Sequence, residues 1–257
     1  MSNSKKLDFL KRVLTDTVDE HIKKDFFNSG NFPNESVIDN VLSKKIDNAR
    51  ESGMDWPEKA HTMIGLLRLN NLHKCLDFVR ENNLNGDVIE TGVWRGGSCI
   101  FMKKYIDMYN LNKKVFVADS FEGLPKPKLE QDFGDNHYKN EYLKVSLEEV
   151  KENFKLYHCL DENVIFVKGW FENTLKDNNI IKNLSILRMD GDMYKSTIDV
   201  FMSCYDKVID QGFIIVDDYC LKGCVEATTD FRKIKNIKED IVRIDDCGVF
   251  WQKKNLN

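Results

Sequence analysis

The order of apolar and polar residues predicts an α/β protein: a mostly parallel Rossmann-like sheet, helices on both faces, and an antiparallel C-terminal hairpin. Three observations carry this expectation. Five short β-type runs, at 87–91, 115–119, 164–168, 185–190 and 212–218, each end in a polar or charged residue. Helical stretches separate them, most clearly at 97–109, 146–158 and 195–208. Strand alternating with helix implies parallel strands joined by crossovers. The last two runs, 240–245 and 248–253, have only Asp246 and Cys247 between them. That gap is too short for a crossover helix, so this pair must be an antiparallel hairpin.

Ahead of the first strand, Leu7, Leu10, Val13, Leu14 and Val18 recur at helical spacing and predict a helix over 7–18. The polar, Asn-rich stretch 28–40 reads as a loop. A second helical pattern runs from His61 to Arg80 through Met63, Leu66, Leu67, Leu72, Cys75, Leu76 and Val79, and the Asn82–Gly86 run ends it. The division expected from this order is an N-terminal helical accessory or lid segment, 1–60, and a main domain, 61–257. A chain of 257 residues is at the upper end of what one core supports.

Composition removes several function classes. Hydrophobic residues at 42% and charged residues at 31% are ordinary for a globular protein, which argues against disorder or a fibre. The formal charge of −4, with lysines interleaved among acids, gives no general attraction to phosphate backbones, so no nucleic-acid partner is expected. No apolar run approaches the roughly 18 residues of a membrane span, and the charged N-terminus does not resemble a secretory signal. No membrane association and a cytoplasmic location are therefore expected. Seven cysteines, at 75, 99, 159, 204, 220, 224 and 247, form no CxxC pair and read as reduced thiols.

The turn after the first strand, Glu90-Thr91-Gly92-Val93-Trp94-Arg95-Gly96-Gly97-Ser98, lies where ligands bind in doubly wound sheets. Its glycines let backbone approach a ligand, and the following helix offers unpaired N–H groups to an anion, either a pyrophosphate or the carboxylate of a methionyl group. The spacing is ExGxxxGGS where a dinucleotide fingerprint has GxGxxG. Glu90 would repel a pyrophosphate but suits an ammonium group, which favours a sulfonium methyl donor over NAD. Asp119, at the end of the second strand, can accept hydrogen bonds from ribose hydroxyls in either case. Gly169, Trp170 and Phe171 follow the third strand, where an adenine ring could stack; a core role fits them equally.

Asp190 and Asp192 follow the fourth strand, and Asp217 and Asp218 close the fifth. Neighbouring strands lie about 4.8 Å apart, so these carboxylates meet if the two strands are adjacent. Oxygen ligands without Cys or His suit a hard cation, Mg²⁺ or Mn²⁺. The bland alternative is that the acids cap helices starting near 193 and 219. A cation would polarise a weakly acidic hydroxyl, and a spare carboxylate would take its proton. Vicinal sugar hydroxyls and a catechol-like phenol would both satisfy such a clamp.

Taken together these residues resemble the macrocin O-methyltransferase family, metal-dependent enzymes that methylate sugar hydroxyls. The resemblance runs from about 60 to 252, through TMIGLLRLNNL, ETGVWRGGSCI, VADSFEGLPKP, VSLEEVKENF, VKGWFENTL, LRMDGDMYKST and IIVDDY. It implies a class I methyltransferase fold with S-adenosylmethionine over Glu90, Gly92, Ser98, Asp119 and Ser120, its adenine near Trp170. Thr62 and Met63 would approach the cofactor from the N-terminal side. Asp190, Asp217 and Asp218 would hold the metal and Asp192 would be the general base. The implied acceptor is a hydroxyl on a small molecule or glycan, and the implied assembly a homodimer with the N-terminal helix as a contact. Residues 20–55 and the 132–142 loop depart from the pattern, being Lys- and Asn-rich, with His137 at the loop tip expected as an exposed histidine and a substrate contact as the alternative.

Overall fold

The computed structural model describes residues 1–176 and 178–254. Four helices open the chain: α1 (Asn3–Leu14), α2 (Glu20–Ser29), α3 (Glu35–Ser43) and α4 (Asn48–Ser52). Next come α5 (Leu66–Glu81), β1 (Asp87–Thr91), α6 (Gly97–Met108), β2 (Val115–Asp119), α7 (Leu147–Leu156) and β3 (Val164–Lys168). The chain then forms α8 (Phe171–Thr174), β4 (Leu184–Met189), α9 (Tyr194–Cys204), β5 (Val208–Val216), α10 (Lys222–Ile234), β6 (Val242–Arg243) and β7 (Val249–Gln252).

The strands form one sheet in the order β3-β2-β1-β4-β5-β7-β6. The first five are parallel, and β7 runs antiparallel to both β5 and β6, as the short 245–248 connection predicts. Strand order reverses between β1 and β4, which opens a crevice at their C-terminal ends.

Side chains alternate between two buried layers, as the period of two requires. Val88, Val117, Ile186 and Ile215 face a core shared with α1, α5, α6 and α7. Ile89, Phe116, Leu187 and Ile214 face the other, with α9 and α10. Leu7, Phe9, Leu10, Val13 and Leu14 of α1 are fully buried in the first layer, so its apolar face is already covered within the chain. Among the described residues no helix is long and apolar enough to cross a membrane.

Three expectations need correction. The stretch 28–40 is not all loop: α3 begins inside it, capped by Asn34, whose side chain accepts from the Val37 amide, and it buries Ile38 and Val41. The helix expected from His61 starts at Leu66, so Thr62 and Met63 lie in an irregular approach. The cysteines are not all free thiols, because Cys220 and Cys247 form a disulfide with Cα atoms 4.5 Å apart. Antiparallel pairing of β5 with β7 brings the segment after Val216 beside the hairpin turn before Val249, a proximity that sequence separation hides.

Candidate active site

A cavity of about 550 Å³ opens in the crevice between β1 and β4. Its walls include Thr62, Met63, Glu90, Gly92, Ser98, Asp119, Ser120 and Trp170, together with Asp190, Asp192, Asp217 and Asp218. Every residue singled out from sequence for donor, metal or proton chemistry therefore faces one space.

Register explains the arrangement. Glu90 of β1 pairs with Arg188 of β4, whose partner on β5 is Ile215. Asp190 and Asp217, each two residues beyond a paired position, fall on the same face. Arg188 is 1% exposed and donates Nη1 to Glu90 and, at 2.9 Å, to Asp190, while Nη2 reaches Asp217. The other oxygen of Asp217 accepts from Arg68 of α5 at 2.6 Å, and Arg68 Nε donates to Asp245 at 2.8 Å. Glu90 also accepts from Ser98 Oγ at 2.5 Å and Cys99 Sγ at 2.8 Å on α6. Glu90 thus spends its charge mainly on a buried guanidinium. Burial opposes the charge of Arg188, but the acids, Asp217 first, hold it protonated.

The turn after β1 is drawn tight. Gly92 has φ +85°, and a Cβ there would lie 1.5 Å from the Asp190 carbonyl oxygen, so the backbone passes directly over the end of β4. Asp119 fixes the turn from β2: its carboxylate accepts from the Val93 and Phe121 amides, both at 2.7 Å. Oδ1 also takes a longer bond from Ser120 Oγ, at 3.3 Å.

Asp190, Asp217 and Asp218 each offer a carboxylate oxygen, all within 4.8 Å of one another. The helix-cap alternative does not hold: α9 and α10 are preceded by Met193 and Leu221, neither with a side-chain cap, and Asp132 accepts from the Tyr194 and Lys195 amides. Burial, then the charge of Asp217, pushes Asp190 well above the usual carboxylate range. Burial, then the charges of Asp192 and Asp190, does the same to Asp218. Such a set is relieved by a cation, and hard oxygen donors fit Mg²⁺ or Mn²⁺. Asp192 is held with φ +58°, its amide donating to Asp218 Oδ2 at 3.0 Å, and burial pushes its carboxyl up to about 6.

Two outer segments complete the walls. Gly53 to Trp56, after α4, meet the 129–143 loop: Trp56 packs on Tyr142 with ring centroids 5.2 Å apart, and Tyr142 on Trp94 at 5.3 Å. Tyr142 donates its hydroxyl to the Pro57 carbonyl at 2.6 Å. His137, expected as an exposed tip, is only partly exposed and lines the cavity. Sequence reasoning passed over Arg68, Arg188, Trp56 and Tyr142. A lone arginine in the apolar run SILRMD was a usable signal, because a charge in a central parallel strand must be paired. Arg68 gave no such signal, since arginines are common on helices.

This fold and cavity define a class I methyltransferase. The solved structure of the O-methyltransferase NovP superposes with a TM-score of 0.82 and 36% identity, covering 99% of this chain and all of that one. Calicheamicin methyltransferase CalS11, at 14% identity, shares the fold with a TM-score of 0.61, covering 98% of this chain and 94% of that one. Among curated relatives, demethyldecarbamoylnovobiocin O-methyltransferase of Streptomyces niveus is 44% identical over 213 residues, 80% of this chain and 81% of that protein. Mycinamicin III 3''-O-methyltransferase of Micromonospora griseorubida is 42% identical over 215 residues, 81% of this chain and 84% of that protein. The protein is an S-adenosylmethionine-dependent O-methyltransferase. Residues 3–253 match the macrocin-O-methyltransferase (TylF) family, and the chain belongs to it.

Proposed function

We propose that this enzyme methylates a sugar hydroxyl on a glycosylated small molecule or glycan, using a divalent cation and Asp192 as the general base. The observation that carries the reading is the meeting, in one cavity, of the glycine turn after β1 with the acids ending β4 and β5. The relatives' names support the sugar: one acts on demethyldecarbamoylnovobiocin, one at a 3'' position of mycinamicin III, and one at the 4' position of a rhamnosyl tetracenomycin.

In this reading Glu90, Gly92, Ser98, Asp119 and Ser120 hold the donor, Trp170 flanks its adenine, and Thr62 and Met63 close over it. Asp190, Asp217 and Asp218 hold Mg²⁺ or Mn²⁺, which when bound would polarise the acceptor hydroxyl. Asp192 takes the proton, and its raised carboxyl suits proton transfer near neutral pH better than a fully solvated acid would. The arginines keep Asp217 and Asp190 oriented, so little reorganisation accompanies reaction. The cavity walls align acceptor oxygen, methyl carbon and sulfur, which supplies much of the rate. Residues 1–60 act as an accessory segment whose 53–56 stretch forms one lip of the site.

Two variants separate these roles. Asp217→Asn should weaken Mn²⁺ binding measured by electron paramagnetic resonance, whereas Asp192→Asn should keep the metal and lose transfer. Equal metal loss in both would refute the division.

A further inference from the structure

We propose that Asp132 is a positioning residue for the acceptor: it latches the 129–143 loop to the first turn of α9 and so fixes the wall against which the acceptor is held. This rests on the reading that places the donor over β1 to β3, which leaves the ends of β4 and β5 to the acceptor.

The loop has almost no core of its own. From Glu122 to Lys144 Asp132 alone is buried, at 4% exposed, while its neighbour Phe133 is 67% exposed. A segment that buries so little apolar surface gains little from the hydrophobic effect, so specific polar contacts must hold it in place. From Leu129 to Asn140, among the described residues, the hydrogen bonds to more distant segments all end on Asp132. Its Oδ1 accepts from the Tyr194 amide at 2.7 Å and its Oδ2 from the Lys195 amide at 3.1 Å. Those amides open α9, and Met193 ahead of them supplies no side-chain cap. An acid is favoured there twice, by the unpaired N–H groups and by the positive end of the helix dipole. Gly223, in the first turn of α10, leaves room for it: a Cβ at that position would lie 3.1 Å from Asp132 Oδ1.

The far end of the loop is held by other groups. Tyr142 donates its hydroxyl to the Pro57 carbonyl at 2.6 Å, and its own carbonyl accepts from Trp94 Nε1 at 3.0 Å. Trp94 follows the glycine turn after β1, whereas α9 follows the acids after β4. The loop therefore joins the acid side of the cavity to its donor side, and Asp132, His137 and Leu143 along it line the cavity. Releasing Asp132 frees the end beside the acids and leaves the Tyr142 end tied. Asp190 and Asp217 are oriented by Arg188 and Arg68, not by the loop, so the metal-binding carboxylates stay in place.

Variants of the whole protein test the latch. Loss of a side-chain cap shifts the held population by about fivefold to tenfold, and with little else holding this loop the shift should appear in acceptor binding. Asp132→Ala should raise the acceptor KM about fivefold or more while kcat changes by less than about twofold. Both are measured with labelled S-adenosylmethionine and Mg²⁺ on the best-turned-over compound of a panel of glycosides and catechols. Tryptic cleavage after Lys139, an exposed loop residue, should accelerate by a similar factor, whereas affinities for S-adenosylhomocysteine and Mn²⁺ stay within about twofold. Asp132→Asn keeps an oxygen that accepts from one amide and should recover most of the KM. Gly223→Ala crowds the carboxylate without altering it and should move KM and cleavage in the same direction as Asp132→Ala, which covers an Asp132→Ala chain that fails to fold. Parent-like KM and cleavage in Asp132→Ala, or in Gly223→Ala where that chain fails, overturn the latch. Equal loss of acceptor, S-adenosylhomocysteine and Mn²⁺ affinity, with no recovery in Asp132→Asn, overturns the acceptor role and assigns Asp132 to the support of α9. Weaker S-adenosylhomocysteine binding with the acceptor KM unchanged would instead overturn the placement of the donor.

Discussion

Replacing Arg188 with methionine removes the cation that Glu90, Asp190 and Asp217 share. Removing one partner of a buried ion pair costs about 3–5 kcal/mol, because the charge left behind is neither solvated nor compensated. Here Glu90, 1% exposed, is left without a paired cation and Asp217, 3% exposed, keeps only Arg68, so the upper end, about 5 kcal/mol, is expected. For a chain of this length about 2–4 °C accompanies each kcal/mol, giving a fall in Tm of about 10–20 °C. Urea unfolding in EDTA, followed by tryptophan fluorescence, measures the free-energy loss, and thermal unfolding measures the Tm. Adding Glu90→Gln to Arg188→Met should recover part of the loss, since removing both partners costs less than removing one. An Arg188→Met protein within about 1 kcal/mol of the parent would show that the guanidinium does not balance these acids and would refute the reasoning.

Other consequences are independent of that network. Gly92→Ala places a Cβ 1.5 Å from the Asp190 carbonyl oxygen, so the turn must move and calorimetric affinity for S-adenosylhomocysteine should fall about tenfold or more; unchanged binding would contradict the close approach. Cys220→Ser opens a link spanning 27 residues, worth about 3–4 kcal/mol by loop entropy, so oxidised parent protein should unfold at higher urea than this variant. Identical midpoints for parent protein with and without dithiothreitol would argue that the disulfide contributes nothing. Because burial raises the Asp192 carboxyl to about 6 and the base must be ionised, single-turnover transfer should climb as pH rises through that region and then level off. A flat profile from pH 5 to 8 would remove Asp192 from the rate.

The strands were legible because parallel strands buried on both faces read as short continuous apolar runs. The acids were legible because their positions at the ends of β4 and β5 depend only on where those runs stop. Which partner each acid takes was not: Arg188 meets Glu90 through strand register, and Arg68 reaches Asp217 from a helix 149 positions away. The first part of α3 looked like loop because that short helix buries few side chains, Ile38 and Val41. His137 looked exposed because its placement depends on Asp132 capping α9, a contact between distant segments. Cys220 and Cys247 meet for a similar reason, through the antiparallel pairing of β5 and β7.

The central claim, metal-dependent methylation of a sugar hydroxyl, is tested most directly by methyl transfer from labelled S-adenosylmethionine to glycosides and to catechols with free vicinal hydroxyls. Each reaction is run with Mg²⁺ and with excess EDTA, and the labelled oxygen is located by mass spectrometry and nuclear magnetic resonance. The account predicts label on a sugar oxygen, falling by about a hundredfold or more in EDTA. Label on catechols alone, or transfer to a glycoside undiminished in EDTA, would contradict it.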